Sequence, residues 1–135
     1  MKQNLNEGLA VKGYDVVSFF YGERSKGSTE YIVEFNKATY LFDSEENRQT
    51  FNSDPSKYLP QYGGFCAIAM SEGNLADPNP KSFKIQDGKL YLFTRMFWGI
   101  IDVQRQWNKA PYEKQKLADA EWIVMQHKEE GSLNN

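Results

Sequence analysis

The chain of 135 residues carries Lys+Arg 16 against Asp+Glu 18, a net charge of -2, with hydrophobic residues at 40% and charged residues at 25%. That balance excludes a disordered chain and fits one domain around one hydrophobic core. With no basic block there is no footing for phosphate neutralisation, so nucleic acid is not an expected partner, and no stretch approaches the ~20 apolar residues of a transmembrane helix.

The aromatic share is high, with Phe 9, Tyr 8 and Trp 3, so a modest number of positions can fill the core. Residues 1–9 and 127–135 read as flexible ends around a domain at 10–126. The first residues have no apolar leader stretch. The expectation is a cytoplasmic location for the chain as it stands, and export if a leader precedes Met1. One cysteine, Cys66, precludes an internal disulfide and says nothing of compartment.

Asp15 is placed to cap a short helical turn carrying Val16, Val17, Phe19 and Phe20, which Gly22 ends. Tyr31 to Phe35, a turn at Asn36-Lys37, and Thr39 to Phe42 predict a hairpin. Ser44 before Glu45-Glu46 predicts a helix N-terminus, with acids at the positive end of its dipole and an end near Asn52. Asp54-Pro55 starts another short helix, Asp as cap and Pro at the first position. After Gly63-Gly64, the run Phe65 to Met70 fits helix or buried strand. Its Ala and Met content and the closing Gly73 favour helix. Asp77 to Pro80 is a rigid loop. Asp87-Gly88 between Ser82–Ile85 and Lys89–Phe93 is the strongest hairpin signal. From Asp102 the chain is helical, interrupted at Pro111, with a last helix from Tyr112 to about Gln126. Two hairpins packed with short helices and a C-terminal helix, without βαβ regularity, predict an α+β fold.

In this order the residues resemble a YHS-domain protein. The matching pieces are Gly13-Tyr14-Asp15, Tyr40-Leu41-Phe42 leading into Ser44 to Asn47, and above all Asp54 to Ala67. Asp87 to Leu92, Trp107 and Ala118 to Trp122 follow. The resemblance covers roughly residues 10–122 and implies a stand-alone domain of a family also found attached to copper and heavy-metal transporters. Metal binding is therefore an implied role, and stand-alone members often carry an export signal. Metal-associated members bring additional cysteines, whereas this chain has Cys66 alone. Its one histidine, His127, lies outside the matching region.

Cys66 is the residue most open to chemistry. In the first turn of a helix opened by Gly63-Gly64, unpaired N–H groups would favour a thiolate suited to copper, zinc or another heavy-metal ion. The alternative is a buried cysteine acting as a small hydrophobe. A dimer sharing Cys66 across a two-fold axis is a further way to complete a metal site. Tyr14, Tyr62, Gly63, Gly64 and Phe65 are candidate pocket residues, the glycines for close backbone approach and the aromatics for excluding water. The apolar run Phe97-Trp98-Gly99-Ile100-Ile101 stands where a loop is expected. Exposed, its Phe97, Trp98, Ile100 and Ile101 would mark a homodimer or protein-partner interface. Otherwise the run packs on the preceding hairpin. A cysteine nucleophile would need a base, and His127 is the sole imidazole, so no catalytic residues are assigned and a non-enzymatic module is expected. Two functions follow from the residues: a binding module centred on Cys66, or an interaction domain using Phe97–Ile101.

Overall fold

The structure is a computed structural model that describes residues 2–134. Two-residue strands β1 (Leu5–Asn6) and β2 (Leu9–Ala10) pair antiparallel across Glu7-Gly8. The sheet continues with β3 (Ser28–Phe35) and β4 (Ala38–Phe42), in the order β1-β2-β4-β3. β4 meets β3 antiparallel, and β2 lies parallel to β4 through Leu9 and Thr39. The N-terminal segment, expected as a flexible end, is therefore part of the sheet. Asn36 and Lys37 turn the hairpin with φ of +50° and +66°, the left-handed backbone of a tight two-residue turn.

Between the sheet strands, α1 (Val16–Phe19) is capped by Asp15. One carboxylate oxygen accepts from the N–H groups of Val17 and Ser18, at 2.9 and 3.3 Å. The other accepts from the Asp43 N–H at 3.0 Å and the Asn47 side-chain amide at 2.8 Å. A single fully buried side chain thus ties α1 to the junction of β4 with α2 (Glu45–Ser53). Burial raises its pKa above the ordinary carboxylate value, although the Asn47 amide and the Asp43 and Ser18 N–H groups pull it down. Ser44 caps α2 through the Asn47 N–H, as its position predicts. Asp54 stands at the cap of α3 (Pro55–Tyr58), but its side chain accepts no capping bond there.

A 3-10 turn, Gln61–Gly64, leads to α4 (Ala67–Ser71), which gives helix rather than strand for the ambiguous apolar run. The second hairpin is β5 (Asn79–Gln86) with β6 (Lys89–Phe93), turned at Asp87 and Gly88 with φ of +51° and +76°. A third, unanticipated hairpin follows, β7 (Arg95–Met96) with β8 (Ile101–Asp102). Then come α5 (Gln104–Lys109) and α6 (Pro111–Asn134). The last helix runs on past Gln126 through residues expected as a flexible tail. The chain is α+β, as the patterning predicts.

Two packed cores meet at β6. Leu90 and Leu92 point into the first, with Phe19, Phe42 and Phe51 from α1, β4 and α2. Tyr91 and Phe93, on the opposite face by the two-residue period of a strand, enter the second with Cys66, Met70, Trp107 and Ala118. The Trp107 indole sits 5.0 Å from the Tyr91 ring and 5.5 Å from the Phe93 ring. Its N–H donates to the Gln86 side chain, whose own amide donates to Gln115. β5, α5 and α6 are joined by that chain.

Asp15→Ala removes a cap and leaves buried donors without an acceptor. It should cost about 2–4 kcal/mol in urea unfolding. A loss under about 0.5 kcal/mol would show that Asp15 is not a structural tie.

Candidate functional site

Three of the five expected pocket residues come together. Tyr62, Gly63 and Gly64 are consecutive left-handed residues, with φ of +60°, +62° and +84°. The N-terminal segment lies across them: the Asn4 N–H donates to the Gly63 carbonyl at 2.8 Å. The Asn4 side-chain amide reaches the Gly64 carbonyl and the Asp77 carboxylate. A Cβ on Gly63 would run into the Lys2 carbonyl and come within 3.1 Å of the Trp122 ring, so this close approach requires glycine. Tyr62 holds its left-handed backbone with a buried ring between Tyr91 and Trp122, and its hydroxyl donates to Asp119 at 2.8 Å. Burial, reinforced by the Asp119 carboxylate, raises the Tyr62 pKa well above the ordinary tyrosine value.

Under the N-terminal segment lies a cleft of about 190 Å³, walled by Asn36, Tyr40, Pro60 and Trp122 as well as by Tyr62-Gly63-Gly64. Tyr14 and Phe65 do not line it. Tyr14 packs instead against the first core, 6.5 Å from Phe19. Asp119 and Trp122, on α6, fall in the Ala118 to Trp122 piece of the resemblance but were not assigned to the pocket, because only the folded helix brings them to Tyr62. The titratable groups of the lining are Tyr40 and Tyr62, and burial pushes Tyr40 up to about 12. The cleft offers shape and the side-chain amides of Gln3, Asn4, Asn36 and Gln61.

Cys66 stands apart from this cleft. It occupies the cap position of α4, not its first turn, because Gly63-Gly64 belong to the separate 3-10 turn. Its backbone N–H donates to Ala76, its carbonyl accepts from Met70, and its Sγ accepts from the Thr94 N–H at 3.3 Å. The side chain is buried in the second core. Among the described residues no group of three His, Cys, Asp or Glu side chains is arranged to hold a metal ion. His127 is exposed on α6. The residues present do not fit a metal centre at Cys66.

The third hairpin is built differently from everything around it. At its base Val103 donates to Thr94, and Arg95 pairs with Asp102 at 3.4 Å. Asp102 also accepts from the Ser82 hydroxyl at 2.6 Å and from the Gln104 N–H, while the Gln104 amide reaches the Phe83 carbonyl. Above this braced base the chain turns through Phe97, Trp98 and Gly99 with φ of +53°, +55° and +91°. Trp98 is 99% exposed, Ile100 78% and Phe97 62%, with Met96 and Ile101 also exposed. The apolar run projects into solvent instead of packing on the preceding hairpin. Met96 was missed in the sequence. Gly99 between Arg95-Met96 and Ile101-Asp102 was the available signal for a short hairpin.

The structure makes Cys66 an interior group. Ellman's reagent should label it only as fast as the domain opens, and fully in denaturant. Rapid stoichiometric labelling of the native protein would contradict this. Neither the family models, nor the curated proteins, nor the solved structures compared with the chain match it.

Proposed function

We propose that the chain is a non-enzymatic binding module of the YHS type, and that it docks its partner through the hairpin tip Met96–Ile101. The observation that carries this reading is the near-complete exposure of Trp98 at the apex of a braced hairpin, with Phe97 and Ile100 beside it. Single exposed apolar residues are ordinary, but a contiguous group on one projection marks a contact surface. The turn strengthens the argument. Left-handed backbone costs an ordinary residue about 1–2 kcal/mol, whereas Gly and Asn adopt it far more readily. Phe97 and Trp98 accept that cost without contributing core packing, so their benefit lies outside the fold. The competing reading, a metal module centred on Cys66, has less support, because that thiol is buried and taken up by the Thr94 N–H.

Replacing the tip with turn-favouring residues, Phe97→Asn together with Trp98→Gly, separates fold from function. Stability should hold or rise by up to about 1 kcal/mol, while binding of the apolar dye bis-ANS falls. A loss of more than about 1 kcal/mol would make the tip a structural element and end the docking reading.

A further inference from the structure

Building on that docking reading, we infer that the surface met by the tip is the interfacial zone of an anionic lipid bilayer. The shape of the tip favours a bilayer. The tip is a convex wedge of five apolar side chains, Met96, Phe97, Trp98, Ile100 and Ile101. A stable protein interface draws on about 20–30 residues a side and demands a complementary surface. A bilayer accepts a wedge of any outline. With two residues per strand at about 3.3 Å each, the hairpin and its side chains reach roughly 10 Å beyond the base. Interfacial elements bury about 5–10 Å. The indole of Trp98, apolar in body with one N–H, matches the headgroup level, and Phe97 and Ile100 match the acyl boundary.

Charge favours the same surface. Although the chain carries -2 overall, cations gather at the hairpin base. Arg95 lies on β7, and Arg105 is exposed on α5, three residues past the end of β8. Exposed Lys81 adjoins Ser82, which is bonded to Asp102, and exposed Arg24 donates to the Lys81 carbonyl. The acids among them are Asp102, paired with Arg95, Glu23, next to Arg24, and Asp77, whose carbonyl accepts from the Thr94 hydroxyl and whose carboxylate pairs with Lys12. An apolar wedge with the exposed cations Lys81, Arg24 and Arg105 close to its base in the fold is complementary to an anionic leaflet, where juxtamembrane Lys and Arg add to insertion.

The test is co-sedimentation of the full chain with phosphatidylcholine vesicles, with and without phosphatidylserine, alongside sedimentation velocity of the protein alone. The expected result is binding to the phosphatidylserine vesicles, with a blue shift of tryptophan emission. Trp98→Glu and Ile100→Glu should each lower partitioning at least ~10-fold, and Lys81→Glu with Arg105→Glu should lower it several-fold. Circular dichroism should show all variants folded. Wild type that ignores vesicles but self-associates through the tip would overturn the lipid inference and leave the docking reading standing. Wild type that does neither would overturn both. Equal binding to vesicles with and without phosphatidylserine, or undiminished binding by Trp98→Glu, would also overturn the inference.

Discussion

β6 is buried on both faces, and the rest of the molecule is arranged around that fact. A strand in a two-stranded sheet ordinarily shows one face to water. Here Leu90 and Leu92 close one core while Tyr91 and Phe93 close another. Each such side chain contributes roughly 1.5–3 kcal/mol of apolar burial. The strand can be surrounded only if something covers its free edge. Pro60 does so through a parallel bridge to Leu90, and so draws the 3-10 turn and its glycines against the strand. Past the end of β6, the Thr94 N–H would be left without a partner. The Cys66 thiol supplies the acceptor, and so this cysteine belongs to the frame.

Polar groups inside the domain then serve as fixed pins. Asp15 joins α1 to the start of α2, Tyr62 joins the glycine turn to α6 through Asp119, and Gln86 joins β5 to α5 and α6. Each is satisfied by donors or acceptors from a different element. Buried networks of that kind specify one arrangement among many compact ones, because a slipped arrangement leaves unpaired groups behind. The cleft beside Tyr62 lies where the N-terminal segment crosses close over Gly63.

The parts legible in the sequence are those set by local chemistry. Asn36 and Asp87-Gly88 mark their turns because Asn, Asp and Gly accept left-handed backbone more readily than other residues, and Asp15 and Ser44 mark helix starts because their oxygens reach nearby N–H groups. What was not legible depends on distant partners. β1 and β2 are two residues long and exist only because β4 lies beside them. Asp119 and Trp122 reach Tyr62 from far along the chain. Cys66 reads as a helix-terminus thiol until Thr94 and the second core enclose it. The apolar tip was visible as an anomaly, an apolar run in the place of a loop. Its exposure was not, because Phe and Trp in a turn ordinarily signal burial.

The account rests on a contrast between an enclosed frame and a free tip, and two tryptophans report on it. Trp107 donates its indole N–H to Gln86 inside the second core, whereas Trp98 stands alone in solvent. Hydrogen exchange of the indole N–H groups, followed by NMR on dilute protein, measures both at once. The account predicts that Trp98 exchanges at the rate of an unstructured peptide, while Trp107 exchanges only through opening of the domain. Protection of Trp98 comparable to that of Trp107 would mean that the tip is packed away, and would contradict the central claim.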